Sequence, residues 1–166
     1  DCLEGVKMLR EHPQIKLASR MDHAPGQRQF QNFEAAKSYY TSKHKMSDAE
    51  FEAFRERRNA ESHAYGPGHR NAIAQYCRDH GIALASHDDA TLEHVSEALA
   101  QGIDVAEFPT TEAAARAAHK AGMAVLMGAP NVVRGASHTG NVSAQSLVDG
   151  GLLGIQSWDY IPFSLL

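Results

Sequence analysis

The chain lacks any apolar run near the roughly 18–20 residues that a bilayer crossing needs, so nothing in it reads as a membrane span. It has little cysteine. Cys2 and Cys77 are too few for a disulfide framework and have no metal-site spacing. Positive charge is not in excess either: 16 Lys and Arg stand against 20 Asp and Glu. The formal charge of -4 argues against a general nucleic-acid binder. No Gly-Lys-Ser/Thr run is present, which excludes a Walker-type phosphate loop. The first twenty residues are charged throughout and show no signal-peptide pattern. A reduced, cytoplasmic setting is the expectation.

What the chain does have is alternation. Short apolar stretches at 15–21, 82–86, 103–108, 124–130 and within 152–160 alternate with polar or Ala-rich helical segments. Helices are predicted over 3–11, 30–41, 47–64, from the Gly66-Pro67-Gly68 break to His80, and over 91–102, 111–122 and 143–151. Ser47 and Glu50 form a capping-box pattern, and Gly81, Gly102 and Gly122 suit helix ends. Buried strands alternating with helices predict a parallel sheet with right-handed crossovers. A (β/α) barrel and a doubly wound sheet both fit. Residues 134–143 read as a Gly/Ser/Asn loop, and about 31–80 as a helical insertion after the first strand.

In both architectures function sits at the carboxyl ends of strands. Those ends carry Asp22 and His23; His87, Asp88 and Asp89; Glu107; Asn131, Arg134 and His138; and Asp159. The opposite ends carry Gly, Ala and Leu. Histidines and carboxylates converging on one rim suit Zn, Mn or Fe. Such an ion makes hydroxide available near neutral pH, and a further carboxylate can shuttle the proton. Plainer roles compete: Asp88 or Asp89 would serve as a helix N-cap, and Asp159 as a turn residue. The run "NVVRGASHTGN" (131–141) offers backbone amides and Arg134 to phosphate oxygens, or is a surface loop. Seven other histidines (His12, His44, His63, His69, His80, His94, His119) lie on polar helix-like segments and read as solvated surface.

The stretches "MDHAPGQRQF", "ASHDDATLEHVSEALAQGIDVAEFPTTEAAARAA", "AGMAVLMGAPNVVRG", "SHTGNVSA" and "WDY" resemble one group of proteins. These are the alkylphosphonate-utilisation proteins of the carbon–phosphorus lyase pathway, in the amidohydrolase superfamily. The resemblance spans essentially the whole chain. It implies a metal-dependent hydrolase on a (β/α)8 barrel, of which this chain would supply about the last four or five βα units. It implies cleavage of a phosphoanhydride in a ribose 1-phosphonate 5-triphosphate, releasing pyrophosphate. It implies His23, His87 and Asp159 as ligands of a divalent Zn, Mn or Fe, with Asp159 and Asp88 catalytic. The substrate phosphates would then meet Arg134, His138, Asn131 and Arg28.

The first-strand "HTD"-type motif and the mid-barrel "CE"-type acid of that group are absent. The expectation is therefore one partial barrel domain over 1–166, resembling a C-terminal part and weakly active or inactive alone. Its open sheet edges would self-associate or meet a missing N-terminal half. Two alternatives compete. One is hydrolysis of C–N bonds, in the manner of adenine deaminases or dihydroorotases. The other is a non-catalytic remnant or binding module.

Overall fold

The computed structural model describes residues 2–26, 28–30, 32–135 and 140–158. Its strands are β1 (Leu17–Arg20), β2 (Ala83–His87), β3 (Val105–Glu107), β4 (Ala124–Gly128) and β5 (Ile155–Ser157). Its helices are α1 (Cys2–Leu9), α2 (Phe33–Lys43), α3 (Asp48–Asp79), α4 (Leu92–Ala100), α5 (Glu112–Lys120), α6 (Ala129–Arg134) and α7 (Ala144–Asp149). All neighbouring strands pair in parallel, in the order β1-β2-β3-β4-β5. Spatial order follows chain order, without the reversal that defines a doubly wound sheet. The α/β sheet is open and consistent with part of a (β/α)8 barrel.

Period-two alternation gives the sheet two different faces. Leu84, Ala106, Val125 and Met127 point to the helix side. There they pack with Ala74 and Cys77 of α3, Val95 and Ala98 of α4, Ala114, Ala115 and Ala118 of α5, and Leu147 of α7. The many alanines let helix and strand backbones approach closely. Truncating a fully buried member such as Leu84 to Ala would cost about 2–5 kcal/mol. The other face is a smaller cluster of Ala85, Val105 and Leu126 with Phe108 and Ala124. Register places Ser19 opposite Ala85, and His87 opposite Glu107, on this second face.

The βα corners repeat. Asp88 and Phe108 each follow their strand in a left-handed conformation, at φ 56° and 53°. Thr91 and Thr111 then cap α4 and α5. Left-handed backbone is uncommon for a residue as bulky as Phe, and such outliers concentrate at functional strand ends.

Two expectations are corrected. Gly66-Pro67-Gly68 does not break the chain, because α3 runs through it for 32 residues. Side chains on both flanks hold the helix together. Ser62 donates to Asp22 at 2.6 Å from one flank, and Arg70 donates to Glu97 of α4 at 3.0 Å from the other. The second correction concerns the segment after β4. Residues 129–134 form α6, where Pro130 sits in the first turn and its missing N–H removes no helical hydrogen bond. The expected strands also shorten at both ends: the 15–21 stretch pairs only over Leu17–Arg20.

The helical region contributes twice. The C-terminal part of α3 buries Ala74 and Cys77 against the sheet, as a crossover helix does. Its N-terminal part meets α2 through an aromatic group: Phe51 lies 5.8 Å from Phe33 and from Tyr40, and Tyr40 lies 5.2 Å from Phe54.

Candidate functional site

β1 ends at Arg20, and the extended residues after it carry Asp22 and His23 to the carboxyl rim. β2 ends on His87, and the left-handed turn at Asp88 aims its carboxylate back across the strand end. As a result His23 Nε2 lies 3.1 Å from Asp88 Oδ2, and His87 Nε2 lies 3.6 Å from the same oxygen. The two imidazole rings are 5.2 Å apart. One ligand atom from each of His23, His87 and Asp88 falls within a 4.8 Å group.

This donor set fits a divalent ion. Ligands at about 2.1 Å around a tetrahedral ion stand about 3.4 Å from one another, close to the spacings here. His87 also has the support that metal-bound histidines usually have. Its Nδ1 lies 2.7 Å from Glu107 Oε2 and 3.2 Å from Ser19 Oγ. Ser19 also donates to Glu107. A proton held on Nδ1 leaves Nε2 as the lone-pair nitrogen. Burial pushes the Glu107 carboxyl up, but hydrogen bonds from His87 and Ser19 outweigh it and hold the group below its ordinary value.

Beside this group lies a cavity of about 70 Å³, lined by Arg20, Asp22, Arg28, Arg70, His87 and His94. Glu97 of α4 accepts from two guanidiniums at its edge, and a third stands near it. Arg28 donates from Nη2 at 2.6 Å, Arg70 from Nε at 3.0 Å, and Arg20 Nη1 stands at 3.9 Å. Arg28 also donates to Asp89 at 2.6 Å. Burial pushes Glu97 up, yet the hydrogen bond and charge of Arg28, then Arg70 and Arg20, hold it below its ordinary value. Burial lowers the Arg20 pKa. Burial, then the Arg28 charge, lowers that of His94.

The expected residues separate into groups. His23, His87 and Asp88 come together. Asp88, expected as a catalytic group, stands among the atoms that could hold an ion. Arg28 is tied to Asp89 and Glu97 in the cavity wall. Arg134 ends α6 and is exposed. Asn131 Oδ1 accepts from Ala144 N at 2.9 Å, which docks α6 against α7. Asp159 and His138 lie outside the described residues. His94 is corrected: it is half-buried and lines the cavity, because its Nδ1 accepts from Ala90 N at 3.1 Å. Sequence reasoning gave no role to Ser19, Glu107, Arg20, Arg70 or Glu97. Glu107 alone carried a signal, as a carboxylate at a strand end.

Over 160 residues the chain is 51% identical to alpha-D-ribose 1-methylphosphonate 5-triphosphate diphosphatase of Escherichia coli (strain K12). It resembles the C-terminal part of that enzyme. The match takes in 96% of this chain and 42% of the diphosphatase, so the chain spans less than half of that enzyme's length. No protein-family model matches the sequence, and no solved structure matches it. Among the described residues no helix is long and apolar enough to cross a membrane.

Proposed function

We propose that this chain carries the metal-holding half of a hydrolase that cleaves a phosphoanhydride of a ribose 1-phosphonate 5-triphosphate and releases pyrophosphate. The observation that carries the reading is the convergence of His23, His87 and Asp88 within 4.8 Å at the carboxyl rim. It occurs in a chain that shares 51% identity with a diphosphatase of such a substrate. A divalent ion of the Zn, Mn or Fe class would supply Lewis-acid chemistry and a water of lowered pKa there.

The chain's own groups do the rest. His23 Nε2, His87 Nε2 and Asp88 Oδ2 would hold the ion. Glu107 and Ser19 keep the His87 proton on Nδ1 and fix the ring. Asp159 keeps its sequence-based assignment as a further ligand and proton acceptor, and His138 its assignment to the substrate phosphates. The arginines beside the centre favour phosphoryl chemistry over hydrolysis of a neutral C–N bond.

Metal content by mass spectrometry and pyrophosphate release from a ribose 5-triphosphate test this reading. Wild type should retain a divalent ion near one per chain. His87→Ala should lose it, and any pyrophosphate release should drop by at least about a hundredfold. Turnover that survives His87→Ala would overturn the site.

A further inference from the structure

We propose that the cavity walled by Arg20, Arg28 and Arg70 is an oxyanion subsite that seats one phosphoryl or phosphonate group beside His87. Formal charge does not decide this, because Asp22, Asp89 and Glu97 balance the three guanidiniums. The hydrogen-bond inventory does. Both oxygens of Asp22 are engaged, Oδ1 by Ala24 N at 3.2 Å and Oδ2 by Ser62 Oγ at 2.6 Å. Both oxygens of Glu97 are engaged by Arg28 and Arg70. His94 Nδ1 accepts from Ala90 N, so a neutral His94 carries its proton on Nε2.

Among the residues that line the cavity the groups left over are donors; the unpaired Asp89 Oδ2 is not part of that lining. The Arg20 side chain is only 5% exposed, yet its Nε and Nη1 make no hydrogen bond among the described residues. A buried guanidinium with two idle nitrogens is costly unless something else accepts from them. Arg70 uses Nε on Glu97, while its Nη1 stays 3.8 Å from Asp22, beyond hydrogen-bond reach. A space of about 70 Å³ has room for more than one water, or for one tetrahedral oxyanion. An acceptor-only tetrahedral group matches the donors.

His87 belongs to both the cavity wall and the metal group. A group seated on the arginines is therefore adjacent to the reacting centre. That this group is part of the substrate rests on the diphosphatase reading, whereas the subsite itself does not.

Calorimetric titration of the chelator-treated chain with inorganic pyrophosphate, and separately with methylphosphonate, tests the subsite without turnover. Wild type should bind, and the tighter of the two anions identifies the class of group seated. Arg20→Met and Arg70→Gln should each weaken binding by roughly tenfold or more. Arg116→Gln, an equal loss of charge on the exposed face of α5, should not. Arg70 is the more exposed of the two, so Arg70→Gln decides the matter if Arg20→Met does not fold. Affinities unchanged in Arg70→Gln, or no binding of either anion by wild type, would overturn the subsite. Anion binding without pyrophosphate release in the metal-loaded chain would remove the hydrolase reading and leave the subsite standing. Release without anion binding would do the reverse.

Discussion

Glu107 Oε2 lies 2.7 Å from His87 Nδ1, across one rung of the β2–β3 pairing. This contact makes a strand-end carboxylate part of the proposed metal centre without being a ligand. It sets the tautomer of His87 and raises the basicity of Nε2. Glu107→Gln should therefore lower divalent-metal affinity by roughly 10–100-fold while leaving the fold intact. Competition with a chromophoric chelator measures this. An unchanged affinity would reduce Glu107 to a structural role.

Acid should destabilise the chain in two pH windows. His94 is held below its ordinary pKa by burial and by Arg28. The unfolded state thus takes up its proton first, and stability falls once the pH drops below the ordinary histidine value of about 6.5. Glu97 and Glu107 are held below the ordinary glutamate value. Their contribution is complete above about pH 4.3 and disappears as the pH falls through their folded pKa values. Thermal midpoints of the metal-free chain should be flat from about pH 8 to 7 and then fall in both windows. His94→Gln should flatten the upper window alone.

Much of this was legible in the sequence because strand ends announce themselves. An apolar run that stops at His87-Asp88-Asp89 places those groups on a rim whatever the exact boundaries. Ser47 signals its cap with Glu50 three residues on, whereas α4 is capped by Thr91 and not by Asp88 or Asp89. The arginine cavity was not legible. Arg20 falls inside an apolar strand and turns to the helix side. Arg70 and Glu97 sit on helices whose polar residues look solvated one by one. Only tertiary packing brings these three elements together, and no periodicity encodes that meeting. Gly66-Pro67-Gly68 misled for the opposite reason. Its local preference is strong, but Ser62 bonds Asp22 on one flank and Arg70 bonds Glu97 on the other, and these ties override it.

That override has a measurable cost. Pro67 interrupts the hydrogen-bond ladder inside α3. Relative to alanine an interior proline disfavours a helix by about 3 kcal/mol, partly offset by the stiffer unfolded chain. Pro67→Ala should stabilise the protein by about 1–3 kcal/mol. At about 2–4 °C per kcal/mol for a chain of this size, the midpoint should rise by several degrees. A lower midpoint would mean that the proline sets a bend the cavity needs. Loss of pyrophosphate binding in the same variant would then accompany it.

The last expectation concerns the sheet edges. Among the described residues β1 pairs only with β2, and β5 only with β4, so the outer edge of each strand is unpaired. Parallel sheets are seldom left open, and an unpaired edge is a template for another chain. Apolar groups are exposed along both margins: Leu17 and Met21 on and just after β1, and Ile155 and Trp158 on and just after β5. We expect the chain to associate through these edges at micromolar concentration, either with a second copy or with the complementary part of a longer barrel. Light scattering should give a mass above 18.1 kDa. Leu17→Lys and Ile155→Lys put a charge on each edge and should shift the mass toward the monomer without unfolding the core, since neither side chain is buried. A monomeric wild type at that concentration would overturn association. The edges would then have to be covered from within the chain.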